Sequence, residues 1–246
     1  MVNFRLFGIP VGVHLSFLII IVLGPLDSAQ SAITWLLAAF VAIMLHEFGH
    51  ALSARAFGAK GIEVTLYGLG GLTSFSHPEK VSHGKSFLIS GAGSAVGIVA
   101  GLAVVGLGRL DVFVSWPDAP VNFLEYFVFV ALVWGILNWI PIVPLDGGHM
   151  AQHFIAIFNE EKAPLIAQIV TWVAVAVVVP IAIINGYEFG AIIVVMFAIF
   201  GLREFRASQR RASAPGVIDA ASRELGDQEA PEPEGLPQEP PPSFPI

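Results

Sequence analysis

Between residues 32 and 57 the chain is apolar for long enough, at about 1.5 Å per helical residue, to cross a bilayer, and inside that run stand His46, Glu47 and His50. Few features restrict a fold more tightly. The run must be helical, because hydrocarbon offers no water to an open backbone. On a helix, His46 and His50 share one face. The order His46-Glu47-Phe48-Gly49-His50 is the H-E-x-x-H pattern, in which two imidazoles hold a zinc ion and the glutamate handles the proton of a water. Ionisable side chains at membrane depth are costly, so three together mark a functional site.

The rest of the 246 residues extends this reading. Charged residues make up 13% and hydrophobic ones 55%, against roughly 25% charged in a soluble domain. Apolar runs at 11–26, 31–57, 86–108, 122–141, 164–185 and 188–203 predict six transmembrane spans, hence an all-α polytopic membrane protein whose short connections make one bundle. There is no cysteine, so a metal must rest on His, Asp and Glu. The net charge of −7 comes from acidic residues crowded into the C-terminal tail, and no basic surface for nucleic acid is visible.

Positive charge sets the orientation. Arg5, Arg55, Lys60, Lys80, Lys85, Lys162, Arg203, Arg206, Arg210 and Arg211 fall on one side of the spans and only Arg109 on the other. Both termini and the 58–85 segment are therefore expected in the cytoplasm, with His50 near the cytoplasmic end of the second span and Asp27, Asp111 and Asp118 outside. The first apolar run also reads as a signal peptide ending near Ala32, but its length and flanks favour retention as a span. Trp35, Trp116, Trp139 and Tyr187 lie near span ends, where interfacial anchoring is expected.

After the second span, Ile62, Val64 and Leu66 alternate with Glu63, Thr65 and Tyr67. Gly68 to Gly71 then turn the chain before Leu72-Thr73-Ser74-Phe75, a β-hairpin pattern. Past Gly201 the composition shifts to basic and then to Pro- and Glu-rich sequence. This divides the chain into a core at 1–203 and a disordered cytoplasmic tail at 204–246.

Two histidines leave a zinc site short of a ligand. In Asn138-Trp139-Ile140-Pro141-Ile142-Val143-Pro144-Leu145-Asp146-Gly147-Gly148-His149, two prolines break the helix, and glycines let the backbone after Asp146 come close to a neighbouring helix. Asp146 is the candidate third ligand. His149 reads as a neighbour of the site and a substrate contact, while His153 reads as interfacial.

The two motifs in this order make the chain resemble the site-2 protease family of intramembrane zinc metalloproteases. The resemblance implies one Zn²⁺ per chain on His46, His50 and Asp146, with Glu47 as general base and acid and Asn138 beside the site. It also implies that the hairpin re-enters the membrane, that membrane-anchored, single-span regulatory proteins are the substrates, and that hydrolysis occurs in or near their transmembrane segments. A multi-pass protein of a prokaryotic plasma membrane is expected. The family's Gly-Pro-x-x-Asn-like motif is replaced here by Gly91-Ala92-Gly93-Ser94-Ala95, so no site residue is assigned to the third span. The competing reading is an ion or metal transporter lined by the buried His, Glu and Asp, although no repeated half with a second broken helix is visible. A non-catalytic binding relative fits less well, because Glu47 and all three candidate ligands are present.

Overall fold

The computed structural model describes residues 1–68, 70–77 and 81–212. Residues 1–205 form one compact unit, and a second is assigned to 206–246, of which 206–212 continue a helix. The expected tail lies, from residue 213 onward, outside the described residues.

Among the described residues six α-helices follow one another: α1 (Ala29–Ala56), α2 (His83–Arg109), α3 (Asp118–Asn138), α4 (Asp146–Phe158), α5 (Ala163–Ile184) and α6 (Glu188–Ala212). Among the described residues α1, α2, α3 and α5 are long and apolar enough to cross a membrane. Four such helices are consistent with a polytopic membrane fold. The run at 188–203 opens α6, whose far half carries Arg203, Arg206 and Arg210.

The all-helical expectation needs correction at the N-terminus. The run at 11–26 is not an α-helix. Val2–Leu6 (β1) and Ile9–Val13 (β2) pair antiparallel, and Leu15–Leu23 form a 3-10 segment. Pro10 and Gly12 weaken a helix here, and Gly8, at φ 79°, turns the hairpin. β-branched Val11 and Val13 instead join a parallel ladder with Val64 and Leu66 of the next strand. His14 extends it, its N–H donating to Leu66 O at 2.8 Å.

The predicted hairpin is present as β3 (Lys60–Tyr67) and β4 (Gly70–Ser76), so the sheet runs β1-β2-β3-β4. The turn is shorter than the glycine run implies. Gly68, at φ 51°, supplies the left-handed residue, while Gly70 and Gly71 pair within β4. Val11, Val64 and Leu66 are buried against α1.

Helices in lipid gain little from hydrophobic association and depend on close packing. Small residues make up much of the contact surface of α1: Ala38, Ala39, Ala42, Ala51 and Ala54 are buried, alongside the larger Trp35, Ile43, Met44 and Phe48. On α2, Gly91, Gly93, Gly97 and Gly101 are buried. Gly49 meets that stripe so closely that a Cβ there would stand 2.7 Å from Ala92 O and Gly93 Cα. α1 and α2 therefore touch backbone to backbone beside His50.

Trp35 departs from its expected role as an anchor. Its ring is buried, and its indole N–H donates to Ile20 O at 2.9 Å. An indole N–H in an apolar interior needs an acceptor.

Candidate metal centre

α1 presents its polar residues at the depth where α2, β4 and the α3–α4 loop converge on it. Ser28 starts the helix, its hydroxyl accepting from Ser31 N–H at 3.0 Å, and places His46, Glu47 and His50 about three to four turns beyond Trp35. All three are buried.

The α3–α4 loop delivers the third group. Trp139 ends α3 and the chain turns through Ile142, which is wholly buried. Val143 N–H donates to Thr171 Oγ1 at 3.1 Å, and the Val143-Pro144 peptide is cis. Asp146 then opens α4. Gly147 and Gly148 are required by contact: a Cβ on Gly148 would lie 2.6 Å from Ile142 C and 2.7 Å from Val143 Cα. The turn that brings Asp146 inward leaves no space for a side chain there.

His46 Nε2 and His50 Nε2 each lie 3.2 Å from Asp146 Oδ2 and 3.2 Å from one another. Among the described residues these three groups lie close enough together to hold a metal ion. Ligand atoms about 2.0–2.1 Å from a tetrahedral zinc are about 3.3 Å apart, so the triangle has the dimensions of three corners of such a site. The tautomer also fits. His50 Nδ1–H donates to Ile89 O at 2.7 Å, leaving Nε2 with a lone pair facing the cluster. Two imidazole nitrogens and a carboxylate oxygen turned toward one another in a buried space call for a cation.

Two neighbours complete the centre, and the sequence reading assigned neither. Ser94 on α2 is fully buried, and its hydroxyl donates to Asp146 Oδ2 at 3.1 Å. Thr73 on β4 donates to Glu47 Oε2 at 2.7 Å. A buried serine in an apolar span was the available signal for the first. The second had none, since Thr73 is an ordinary strand residue until β4 is laid on α1.

The remaining candidates are placed differently. Asn138 bonds its own helix, Nδ2 donating to Trp134 O at 3.0 Å. His149 lies on the opening turns of α4 and acts on His153, whose ring is held below its ordinary pKa by burial and then by His149 and His83. No described hydrogen bond joins Asn138 or His149 to the cluster. The His83 and His153 rings are 5.9 Å apart, and His83 Nε2 lies 3.6 Å from Glu160 Oε2.

Known proteins resemble the loop that carries Asp146 and the fold around it. Residues 115–181, which contain Asp146 and its loop, match the model of Peptidase family M50. A Synechocystis protein named "Putative zinc metalloprotease" is 29% identical over 242 residues, 89% of this chain and 62% of that protein. A zinc metalloprotease of Methanocaldococcus jannaschii is 26% identical over 61% of this chain and 43% of its own length. The chain thus spans less than two thirds of the length of these curated relatives. The solved site-2 protease from Methanocaldococcus jannaschii superposes with a TM-score of 0.57 at 22% identity, covering 82% of this chain and 94% of that one. Residues 115–181 carry the Peptidase family M50 pattern, and the chain around them has the fold of a site-2 protease.

Proposed function

We propose that this protein is an intramembrane zinc endopeptidase that hydrolyses peptide bonds in or near the transmembrane segments of membrane-anchored proteins. The observation that carries the reading is the 3.2 Å triangle of His46, His50 and Asp146 with Glu47 beside it on α1. The relatives named as zinc metalloproteases support it and speak against the transporter reading.

In this reading His46, His50 and Asp146 hold one zinc, which supplies Lewis acidity to a water and to a peptide carbonyl. Glu47 does the proton work. Its carboxylate takes the proton as water attacks and passes it to the departing amine, so that one residue serves both halves of the reaction. The small-residue contact of α1 with α2 and the wholly buried Ile142 hold the ligands in place. Asn138 and His149, at the two ends of the loop bearing Asp146, are the candidate substrate contacts.

The finer topology belongs to the same proposal. β2 and the 3-10 segment together rise about 35 Å, comparable with a hydrocarbon core of about 30 Å. The N-terminal segment can therefore cross beside α1 without being a helix. With α1, α2, α3, α5 and α6 this makes six crossings of a prokaryotic plasma membrane, with the β1–β2 turn and the C-terminal side of α6 at the cytoplasmic face, while β1, paired with β2, carries the expected cytoplasmic N-terminus back toward the level of Val13. The core ends near residue 203 and an acidic cytoplasmic tail follows. The β3–β4 hairpin re-enters the membrane, where the free edge of β4 can pair with an unwound substrate strand. Single-span regulatory proteins are the expected substrates.

Purified chain in vesicles should hold one zinc and cleave a co-reconstituted single-span protein. Stripping with a strong chelator should abolish cleavage, and added zinc should restore it. Zinc-loaded chain that moves ions across the vesicle wall and cuts nothing would refute the protease reading. Within the same preparation, Ser94→Ala should weaken zinc binding about tenfold, the usual scale for removing a partner that orients a ligand. Competition with a chromophoric chelator measures it, and unchanged affinity would mean that Ser94 does not hold Asp146.

A further inference from the structure

β4 is the last strand of the sheet, and one of its faces rests on the glutamate of α1. Gly71 and Thr73 are two residues apart and so share that face, while Leu72 and Ser74 point the other way and are exposed. A Cβ on Gly71 would stand 2.5 Å from Glu47 Cγ and 2.6 Å from Oε1. The strand backbone itself forms a wall against the carboxylate.

Thr73 lies at the other side of that contact. Its Oγ1 is 2.7 Å from Glu47 Oε2 and 3.0 Å from Glu47 O, so one hydroxyl proton is shared between two acceptors of the same residue. The carbonyl is part of the helix backbone and does not move independently of α1. A hydroxyl that reaches both atoms therefore ties the end of a flexible side chain to its own main chain. Glutamate has three rotatable side-chain bonds, and one held by nothing would spend much of its time in rotamers directed away from a reacting water. The bond uses Oε2, whereas Oε1 is limited only by the closeness of the Gly71 backbone.

We propose that Thr73 is a positioning residue for Glu47: its hydroxyl fixes the carboxylate in the orientation from which proton transfer takes place. The proposal rests on the protease reading of the site. It assigns a function in the chemical step to a strand whose evident function is structural, and it predicts that the hydroxyl matters while the methyl group does not.

The test is a pair of substitutions of nearly constant volume in the zinc-loaded, full-length protein reconstituted with a single-span substrate. Thr73→Val removes the hydroxyl and should lower kcat about 10- to 100-fold with KM within about twofold of wild type, as expected when a catalytic group is displaced rather than deleted. Thr73→Ser keeps the hydroxyl and should return kcat to within about threefold of wild type. Zinc content should be equal in all three proteins, which separates an effect on Glu47 from damage to the ligands. A Thr73→Val protein with wild-type kcat would overturn the proposal. So would equal losses in both variants, which would indicate packing, or a rise in KM alone, which would indicate a substrate contact. A zinc-loaded wild type that cleaves no membrane-anchored protein would instead overturn the protease reading, and this inference with it.

Discussion

Replacing Glu47 with glutamine should reduce peptide cleavage about 10⁴-fold while zinc stays bound, the upper end of what a positioned acid–base group contributes. The upper end is expected because one residue carries both proton transfers. The change is close to isosteric, and the amide oxygen can still accept from Thr73 Oγ1 at the place now taken by Oε2, so the fold has little reason to respond. Neither His46, His50 nor Asp146 loses a partner. The loss corresponds to about 5.4 kcal/mol of transition-state stabilisation, too large for a side chain that merely packs. Comparing membrane proteins of cells carrying wild type or Glu47→Gln makes the measurement and also identifies the substrate. Full-length targets should accumulate in the variant and their fragments should vanish. Identical profiles from zinc-loaded proteins would remove Glu47 from the chemistry.

The second large effect should come from a residue with no functional group. Gly93 on α2 lies directly under the imidazole of His50, where an added Cβ would stand 2.6 Å from Cδ2 and 2.7 Å from Cε1 and closer still to Nε2. His50 cannot easily retreat, because Nδ1 is held by Ile89 O and α1 is pressed against α2 at Gly49. Gly93→Ala should therefore push the ring out of the triangle and weaken zinc binding at least about 100-fold, the top of the range seen when a ligand loses its orientation. It should also cost roughly 1–3 kcal/mol of stability through overpacking. Gly106, on the same helix, is the control. Nothing lies within 4 Å of its Cβ position, so Gly106→Ala should leave zinc binding untouched and match or exceed wild type in stability by up to about 1 kcal/mol. Chelator competition and thermal unfolding in detergent read both variants. Equal behaviour of the two would mean that the tight contact at Gly93 does not constrain His50.

Much of the centre was legible before any coordinates. H-E-x-x-H at helical spacing identifies His46, Glu47 and His50, and the broken helix before Asp146 points to a third ligand, because both signals are local. The β3–β4 hairpin was readable for the same reason, its alternation and Gly68 being written in a dozen consecutive residues. Ser94 offered only its polarity within an apolar span, and Thr73 offered no signal. Each gains its role only from a partner 52 or 26 residues away in sequence.

The N-terminal run shows the limit most clearly. Hydropathy measures how apolar a segment is, and 11–26 is apolar enough for a span. Its conformation depends on whether a neighbouring strand is available, and β3 offered Val64 and Leu66 to Val11 and Val13. Trp35 followed, since the 3-10 carbonyl of Ile20 reached its indole and made it core rather than interface.

The amino-acid sequence by itself therefore determined that the chain carries helices apolar enough to cross a membrane, that His46, Glu47, His50 and Asp146 are the candidate site residues, and that no thiol could take their place. Those outcomes follow from hydropathy, helical periodicity and residue chemistry, which need no knowledge of what lies alongside. Only the tertiary structure decided that the three ligand atoms meet at 3.2 Å, that α2 contributes a serine and a glycine surface to them, and that β4 lies over the glutamate. Such distances are set by how closely backbones approach. That approach depends on small residues on two different elements at once, a pairing that no single stretch of sequence records.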